Sequence, residues 1–580
     1  MKFNNPIQEA VMSKSSLQFG FTAGFNPYFA SIMLTEAIAT RGNSVLFVAT
    51  LDAMKAFDVV DHTILAHKMY QDGLTGALWM LKKNSYDQLT GQVKWDDQLG
   101  SIFKVEQGTK QGGIASTSDY KSYVNSLLTR LERSGLGMSI GNAYIGAPTC
   151  ADDILLISQC PSTLQSMLNI VANYADSHRY QIHPVKSTIT IFSTEAERRI
   201  WAENSPWHIH GECLSVTNTV THLGLIRNAA TPRSMMTIHI EGRINLARRT
   251  AYSLMGAGMH GLNGLHPAVS MHLYRTYVLP RLLSGLETVI LSAKELDPLE
   301  LFHRRILRAI QHLPDKCSNT AVYVLLGTLP IEAHLHNRML TMFGAIARAE
   351  TSRIHTLAIS MLENPRPQSW FTNISILLQK YKLQEPGMTL KDPPTKSCWK
   401  RIVSRAIWEH WEEKLKRDMT QKSSLKYLLP ENCTLSRQHL LWESTSYNPR
   451  DIRRAVVKAK LLTGTYILQA NRARFNQHEV NPTCPLCGEG SEDREHFLLN
   501  CARLEGIRKP YVQSILKTLP DEIIQQGAQD ILLQIILDCP ISLGSTGRLS
   551  RAQRSSIETT SRGLCYALHF ERANILCYRP

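Results

Sequence analysis

The stretch VLFVATLDA, residues 45–53, constrains the fold more than any other part of the chain. It is an almost unbroken apolar, β-branched run, so it reads as a strand buried within a covered sheet. It ends at a carboxylate, Asp52. A second stretch, PTCADDILLIS (148–158), sets Asp152 and Asp153 side by side before another apolar run. GNAYIGAPT (141–149) and DILLIS (153–158) read as two strands joined at CADD, a hairpin with both aspartates at its tip. If that hairpin and the 45–51 strand are sheet neighbours, three carboxylates converge on one edge. Without basic partners they repel at close quarters. Two divalent cations ~3.5–4 Å apart would relieve the repulsion and create a phosphoryl-transfer site. Oxygen ligands favour Mg²⁺ over softer metals. The adjacent aspartates alone also fit a polar turn between strands.

The surrounding pattern gives the sheet its partners. PSTLQSMLNIVANYADSH (161–178) opens with helix-start residues and places Leu164, Leu168, Val171 and Tyr174 on one face. Residues 58–100 read as mainly helical, and KSTITIFS (186–193) as an alternating strand. The resulting order predicts an α+β sheet covered by helices on one side. From 232 to 350 strand signals fade and basic helical segments take over, such as EGRINLARRTAYSLM and LFHRRILRAIQHL. Residues 364–397 carry several prolines and suggest a linker or domain edge. Helical pattern resumes over 399–426.

A chain of 580 residues suggests three or four domains. Lys and Arg total 64 against 49 Asp and Glu, a formal charge of +15. That excess suits a polyanionic partner, nucleic acid before acidic membrane. No uninterrupted apolar run approaches the ~18 residues of a membrane span. The opening MKFNNPIQEAVMSK lacks the apolar core of a secretory signal. An intracellular location, nucleus or cytoplasm, is the expectation, and there the 12 cysteines need an account other than disulfides. Four residues supply one: Cys484, Cys487, His496 and Cys501 stand in the pattern C-x2-C-x8-H-x4-C. Thiolate and imidazole ligands at this spacing favour one tetrahedral Zn²⁺, and a site with no open position is structural. Free cysteines beside a surface histidine are the alternative. No G-x-x-x-x-G-K-[ST] loop supports an unrelated phosphotransferase.

Five short motifs occur in order: LDAMKAFDVVDH, QGTKQGGIAS, CADD, PVKS and HLG. Together they resemble the palm motifs of reverse transcriptases from non-LTR (LINE-like) retrotransposons. QFGFTAG (18–24) resembles the stretch just upstream of that palm. The resemblance implies a right-hand polymerase palm with partial fingers, then a helical thumb-like region and a small C-terminal zinc knuckle. It assigns 1–44 to partial fingers, 45–228 to the palm and 229–350 to the thumb-like region. The rest divides into a linker and helical connection (351–450), a basic segment with the knuckle (451–510) and a helical tail (511–580).

The resemblance also implies roles. Asp52, Asp152 and Asp153 match the carboxylates that bind two Mg²⁺ ions, with Asp58 structural. Phe57 matches a steric gate against the ribose 2′-OH, although a core aromatic is its plainer reading. Gln107, Gly108, Gln111, Gly112 and Gly113 match the motif supporting template and incoming nucleotide. Lys186 matches a catalytic lysine near the nucleotide phosphates, and a solvated lysine is its plainer reading. His222, Leu223 and Gly224 match the motif gripping the primer end. Arg472 and Arg474 precede the zinc pattern, as basic residues do in similar proteins. The sequence departs from the family at Thr117, where Pro is usual, at Cys150, where an aromatic is common, and at Asn125–Ser126, where Asn-Asp is frequent. None of these removes an inferred ligand.

The implied activity is RNA-directed DNA synthesis, with an RNA template, a DNA primer or target and dNTPs as partners and no membrane. About 16 residues precede Leu17, with no counterpart of the fingers' basic residues, so the chain is expected to polymerise poorly. A non-catalytic nucleic-acid-binding remnant or domesticated protein is the alternative.

Overall fold

The run that reads as a covered strand is Leu46–Asp52, the middle strand of a five-stranded sheet. Across the sheet the order is Ser215–Thr217, Thr188–Phe192, Leu46–Asp52, Asp153–Ser158 and Thr149–Cys150. The Ser215–Thr217 pairing is parallel and the other three are antiparallel. Phe47, Ala49 and Leu51 project from one face into a core shared with Leu156, Ile189 and Ile191. The helices Ser116–Arg133 and Pro161–Ser177 add Leu127, Leu128 and Leu131, and Leu164, Met167, Leu168 and Val171, to that core. Each large aliphatic side chain so buried contributes about 1.5–3 kcal/mol. Pro161 occupies the first turn of its helix, where a missing N–H costs nothing.

The computed structural model describes residues 15–576 apart from 111, 204, 206, 232–233, 475–479, 521–527 and 544–546. The chain forms two compact units. One comprises Met1–Glu241, Gly285–Glu295 and Leu335–Val403; the other comprises Gly242–Ser284, Leu296–His334 and Ser404–Pro580. The first unit holds the sheet. The second is mainly helical: Pro449–Leu462 packs on Arg551–Ile575, and buried Lys458 meets Glu558 and Ser561, each at 2.7 Å. The basic segments noted above lie in the helices Thr237–Gly256 and Ala293–Gln311. Among the described residues no helix is long and apolar enough to cross a membrane.

Four readings of local pattern differ from the structure. The sheet is covered on both faces, not one. Leu46, Val48, Leu155 and Ile157, opposite the helices, are also fully buried, in part beneath the Thr219–His222/Leu225–Asn228 hairpin. Ile189 to Phe192 are accordingly all buried despite the strand's alternating sequence, with Thr188 partly so; Thr190 meets its neighbours through its hydroxyl, which lies 3.2 Å from Thr217 Oγ1. The 141–149 strand is broken into Ala143–Tyr144 and Thr149–Cys150, with Pro148, which has no N–H to offer a ladder, between them. The 58–100 region forms helices His62–Gln71 and Gly76–Tyr86, then turns into paired short strands over 90–104. There Asp96 and Asp97 both have positive φ, at 42° and 64°, the backbone of a tight hairpin turn. Finally, 364–397 folds into the helices Trp370–Lys380 and Pro386–Lys391. Its prolines sit at helix starts and between helices, while Trp370 is fully buried and donates to the Glu287 carbonyl at 2.9 Å.

Candidate active site

Strand register brings the carboxylates together. Asp52 is paired across the antiparallel ladder with Asp153, and directly paired residues share a face. Cys150 pairs with Asp153, leaving Ala151 and Asp152 as a two-residue turn. Asp152 therefore adjoins the Asp52–Asp153 pair. The Asp153 carboxyl is held above its usual range, first because surrounding chain strips its water, then because Asp152 and Asp52 place negative charge beside it. The same surroundings push the Cys150 thiol up to about 12, with burial the leading cause. Tyr120, fully enclosed, is raised by burial first and by Asp152 and Asp153 among its neighbours.

Lys186 reaches this edge, with Nζ 3.7 Å from the Asp52 carboxylate. Both side chains are largely exposed, so water and salt weaken their attraction. The segment leading to Lys186 is tied to the first strand: the His183 N–H donates to Asp52 O at 2.8 Å, and the Asp52 N–H donates to Ser187 Oγ at 3.1 Å.

Phe57 is half-buried and stacks on Tyr120, with centroids 4.5 Å apart and planes 27° apart. It thus serves packing at the edge of the site. The loop carrying Phe57 is bonded to the glycine-rich loop. The Gly108 N–H donates to Val60 O and the Thr109 N–H to Phe57 O, both at 2.8 Å. Gln107 bridges to Asp61. Gly108 has φ +92°, and a Cβ there would lie 2.9 Å from Asp58 O, so the close approach of these loops needs glycine. The contact is with the Asp58 backbone. Gly112 and Gly113 follow in the same loop; Gln111 lies outside the described residues.

His222 ends the first strand of the Thr219–Asn228 hairpin, paired with Leu225, and Leu223 and Gly224 form its turn. Leu223 and Gly224 have positive φ, at 51° and 74°. The His222 ring is buried, neither nitrogen has a partner among the described residues, and its pKa falls to about 3 through burial and then the charge of Arg227. A neutral, enclosed ring of this kind is a packing element.

The C-terminal constellation is fully gathered. The ligand atoms of Cys484, Cys487, His496 and Cys501 all lie within 4.8 Å of one another. Cys484 Sγ is 3.9 Å from Cys501 Sγ, and Cys487 Sγ is 3.3 Å from His496 Nε2. A tetrahedral zinc with Zn–S of ~2.3 Å sets sulfurs ~3.8 Å apart, so these residues fit that ion. Gly488, at φ +75°, turns the knuckle, and its N–H donates to Cys484 O at 2.9 Å. Glu492 accepts from Arg572 at 2.7 and 2.9 Å, fixing the knuckle to the last helix. Among the described residues this is the one group of three or more candidate ligands at such spacing. The three aspartates are adjacent by backbone register, with their carboxylates less tightly drawn together. They fit hard divalent cations by donor type, and the repulsion expressed at Asp153 is what such cations would relieve.

A sheet whose strands end in paired carboxylates, bonded to a glycine-rich loop and followed by a turn-forming hairpin, is the arrangement expected of a right-hand polymerase palm. Residues 3–226 match the reverse transcriptase (RNA-dependent DNA polymerase) family. The chain is 25% identical over 273 residues to a retrovirus-related Pol polyprotein from a type-1 R2 retrotransposable element of Popillia japonica, covering 46% of this chain and 42% of that protein. It is 28% identical over 123 residues to the type-2 R2DM polyprotein of Drosophila melanogaster, covering 21% and 12%. Residues 3–226 thus resemble the reverse transcriptase domains of non-LTR retrotransposons, which are RNA-directed DNA polymerases. The chain spans less than half the length of these curated relatives. Telomerase from Candida tropicalis, solved with a fragment of telomeric RNA, is 12% identical over 65% of this chain and 52% of its own, with a TM-score of 0.29, which adds nothing to the assignment.

Sequence reasoning missed Gln18. It lies within the quoted QFGFTAG, yet its side chain bonds the Ala151 turn across 133 positions of chain. The only signal was the apolar context of a lone amide.

Proposed function

We propose that this chain copies RNA into DNA by adding dNTPs to a primer 3′-OH. The observation that carries the proposal is the pairing of Asp52 with Asp153 beside Asp152 in the adjoining turn. In this reading the three aspartates hold two Mg²⁺ ions, which when bound activate the attacking oxygen and neutralise the leaving pyrophosphate. Lys186 adds positive charge near the phosphates. Phe57, braced by Tyr120, crowds a ribose 2′-OH and favours dNTPs. The loop with Gln107, Gly108, Gly112 and Gly113 supports template and nucleotide, and Gln111, outside the described residues, is assigned to the same motif by resemblance. The Leu223–Gly224 tip, on the rigid base of His222, seats the primer end. Helices beyond 228 act as a thumb on the duplex, and one Zn²⁺ on Cys484, Cys487, His496 and Cys501 stiffens a basic nucleic-acid-binding segment. The charge of +15 makes that binding salt-dependent. The reaction belongs in the nucleus or cytoplasm, where RNA templates are found.

Primer extension on an RNA template tests this. Asp52→Asn and Asp152→Asn should each lower extension about 10³–10⁵-fold while RNA binding persists. Wild-type chain that binds RNA but never extends a primer would favour a non-catalytic binding protein.

A further inference from the structure

The turn that carries Asp152 has a backbone conformation that alanine seldom adopts: Ala151 has φ +58°. For a residue with a Cβ this costs roughly 1–2 kcal/mol, and it persists where the surroundings fix it. Gln18 does the fixing. Its side chain is buried and reaches both polar groups of Ala151. Oε1 accepts from the Ala151 N–H at 2.9 Å, and Nε2 donates to the Ala151 carbonyl at 3.4 Å. Oε1 also accepts from the Gly20 N–H at 3.0 Å. The amide therefore restrains the peptide plane before Ala151 and the one after it, and the second plane leads directly into Asp152.

The segment carrying Gln18 is itself clamped. The Phe19 N–H donates to Thr149 O and the Thr149 N–H to Leu17 O, each at 2.9 Å. From the Ser116–Arg133 helix, Lys121 Nζ donates to Phe21 O at 2.7 Å. Gly20 lies so close to the turn that a Cβ there would sit 2.5 Å from Ala151 N and 3.1 Å from Cys150 C. No side chain fits without moving the turn.

We infer that Gln18 is a positioning residue for the metal-binding carboxylates, setting the direction of Asp152 through the backbone of Ala151. The inference rests on the polymerase reading above. Residues that orient metal ligands typically change metal affinity about 10–100-fold when altered.

The test uses Mn²⁺ as a paramagnetic probe, titrated into the full chain and followed by the loss of its free-ion resonance signal. The palm component is the binding lost in Asp152→Asn. Gln18→Met keeps the side chain's length and removes its hydrogen bonds; Gly20→Ala crowds the turn while keeping Gln18. Each should weaken palm Mn²⁺ binding about tenfold, with near-wild-type circular dichroism and RNA affinity. Unchanged Mn²⁺ affinity in folded Gln18→Met overturns the inference. If Gln18→Met fails to fold, unchanged affinity in Gly20→Ala overturns it instead. These results leave the polymerase reading standing. If wild type and Asp152→Asn bind Mn²⁺ alike, the metal site fails, and the positioning role fails with it.

Discussion

The two candidate metal sites are built on opposite plans. The C-terminal site draws its four ligands from 18 consecutive residues, Cys484 to Cys501, and its ligand atoms already share one small volume. Cys484 and Cys501 are buried, and Cys487 and His496 are partly buried. The palm site draws Asp52 from one strand and Asp152 and Asp153 from a hairpin about a hundred residues later, so it exists only through sheet register. Its carboxylates remain at an open edge. A closed set of soft ligands holds one ion for structure, whereas an open edge of hard ligands keeps positions for substrate oxygens. The contrast also separates the forces involved. The knuckle gathers its ligand atoms through a local turn and burial of Cys484 and Cys501. The palm depends on hydrophobic burial beneath the strands to hold like charges together.

Removing a knuckle ligand should give the largest effect. Metal analysis of purified wild type is expected to show one zinc per chain, and Cys484→Ser to abolish it. The structure around 484–508 should lose much of the stabilisation the ion provides, which in isolated zinc modules reaches about 10–16 kcal/mol. Retention of zinc in Cys484→Ser, or its absence from wild type, would rule out this ligand set.

A smaller effect separates charge buried inside the palm unit from charge at its edge. Glu36 is fully buried; its Oε1 accepts from the Trp370 N–H at 2.6 Å, and Oε2 has no partner among the described residues. Burial raises its pKa to about 7 from an ordinary 4.5. The folded state therefore prefers the protonated acid. Its stabilising contribution is complete below pH 4.5 and is lost as pH rises through about 7. Glu36→Gln should raise the thermal midpoint at pH 8 relative to wild type, by an amount worth up to about 3 kcal/mol, and change little at pH 4.5. Equal pH dependence in the two proteins would show that Glu36 ionises freely.

The smallest effect concerns selectivity. Phe57→Ala removes the ring stacked on Tyr120 and should relax the preference for dNTPs over rNTPs by about 10–100-fold, within the range a pocket's shape can supply. An unchanged ratio in single-nucleotide incorporation would leave Phe57 as packing alone.

How much of this was legible in the sequence follows the same division. The knuckle could be read outright, because its ligands are close in sequence and its Gly488 turn is local. The aspartates could be read as a constellation, because a buried strand ending in a carboxylate and an acidic turn are both local signals. Their pairing depended on a register that no local pattern reveals. The two-sided burial of the sheet was hidden because Thr190 looks solvent-facing until its hydroxyl finds Thr217. The 90–104 hairpins were hidden because Asp96 and Asp97 adopt a backbone for which glycine or asparagine is the usual signal. The 364–397 prolines suggested a linker because proline starts helices as readily as it ends them. Gln18 was invisible as a functional residue because its role exists only once Leu17–Phe19 lies beside Thr149.

The central claim is that carboxylates assembled by strand register, and not merely a polymerase-shaped surface, define what this chain does. Mg²⁺-dependent primer extension on an RNA template, comparing wild type with Asp52→Asn, tests it most directly. The strand-built site predicts weak, Mg²⁺-dependent extension by wild type and its loss in the variant, with RNA affinity unchanged. Extension by Asp52→Asn at the wild-type rate would contradict it.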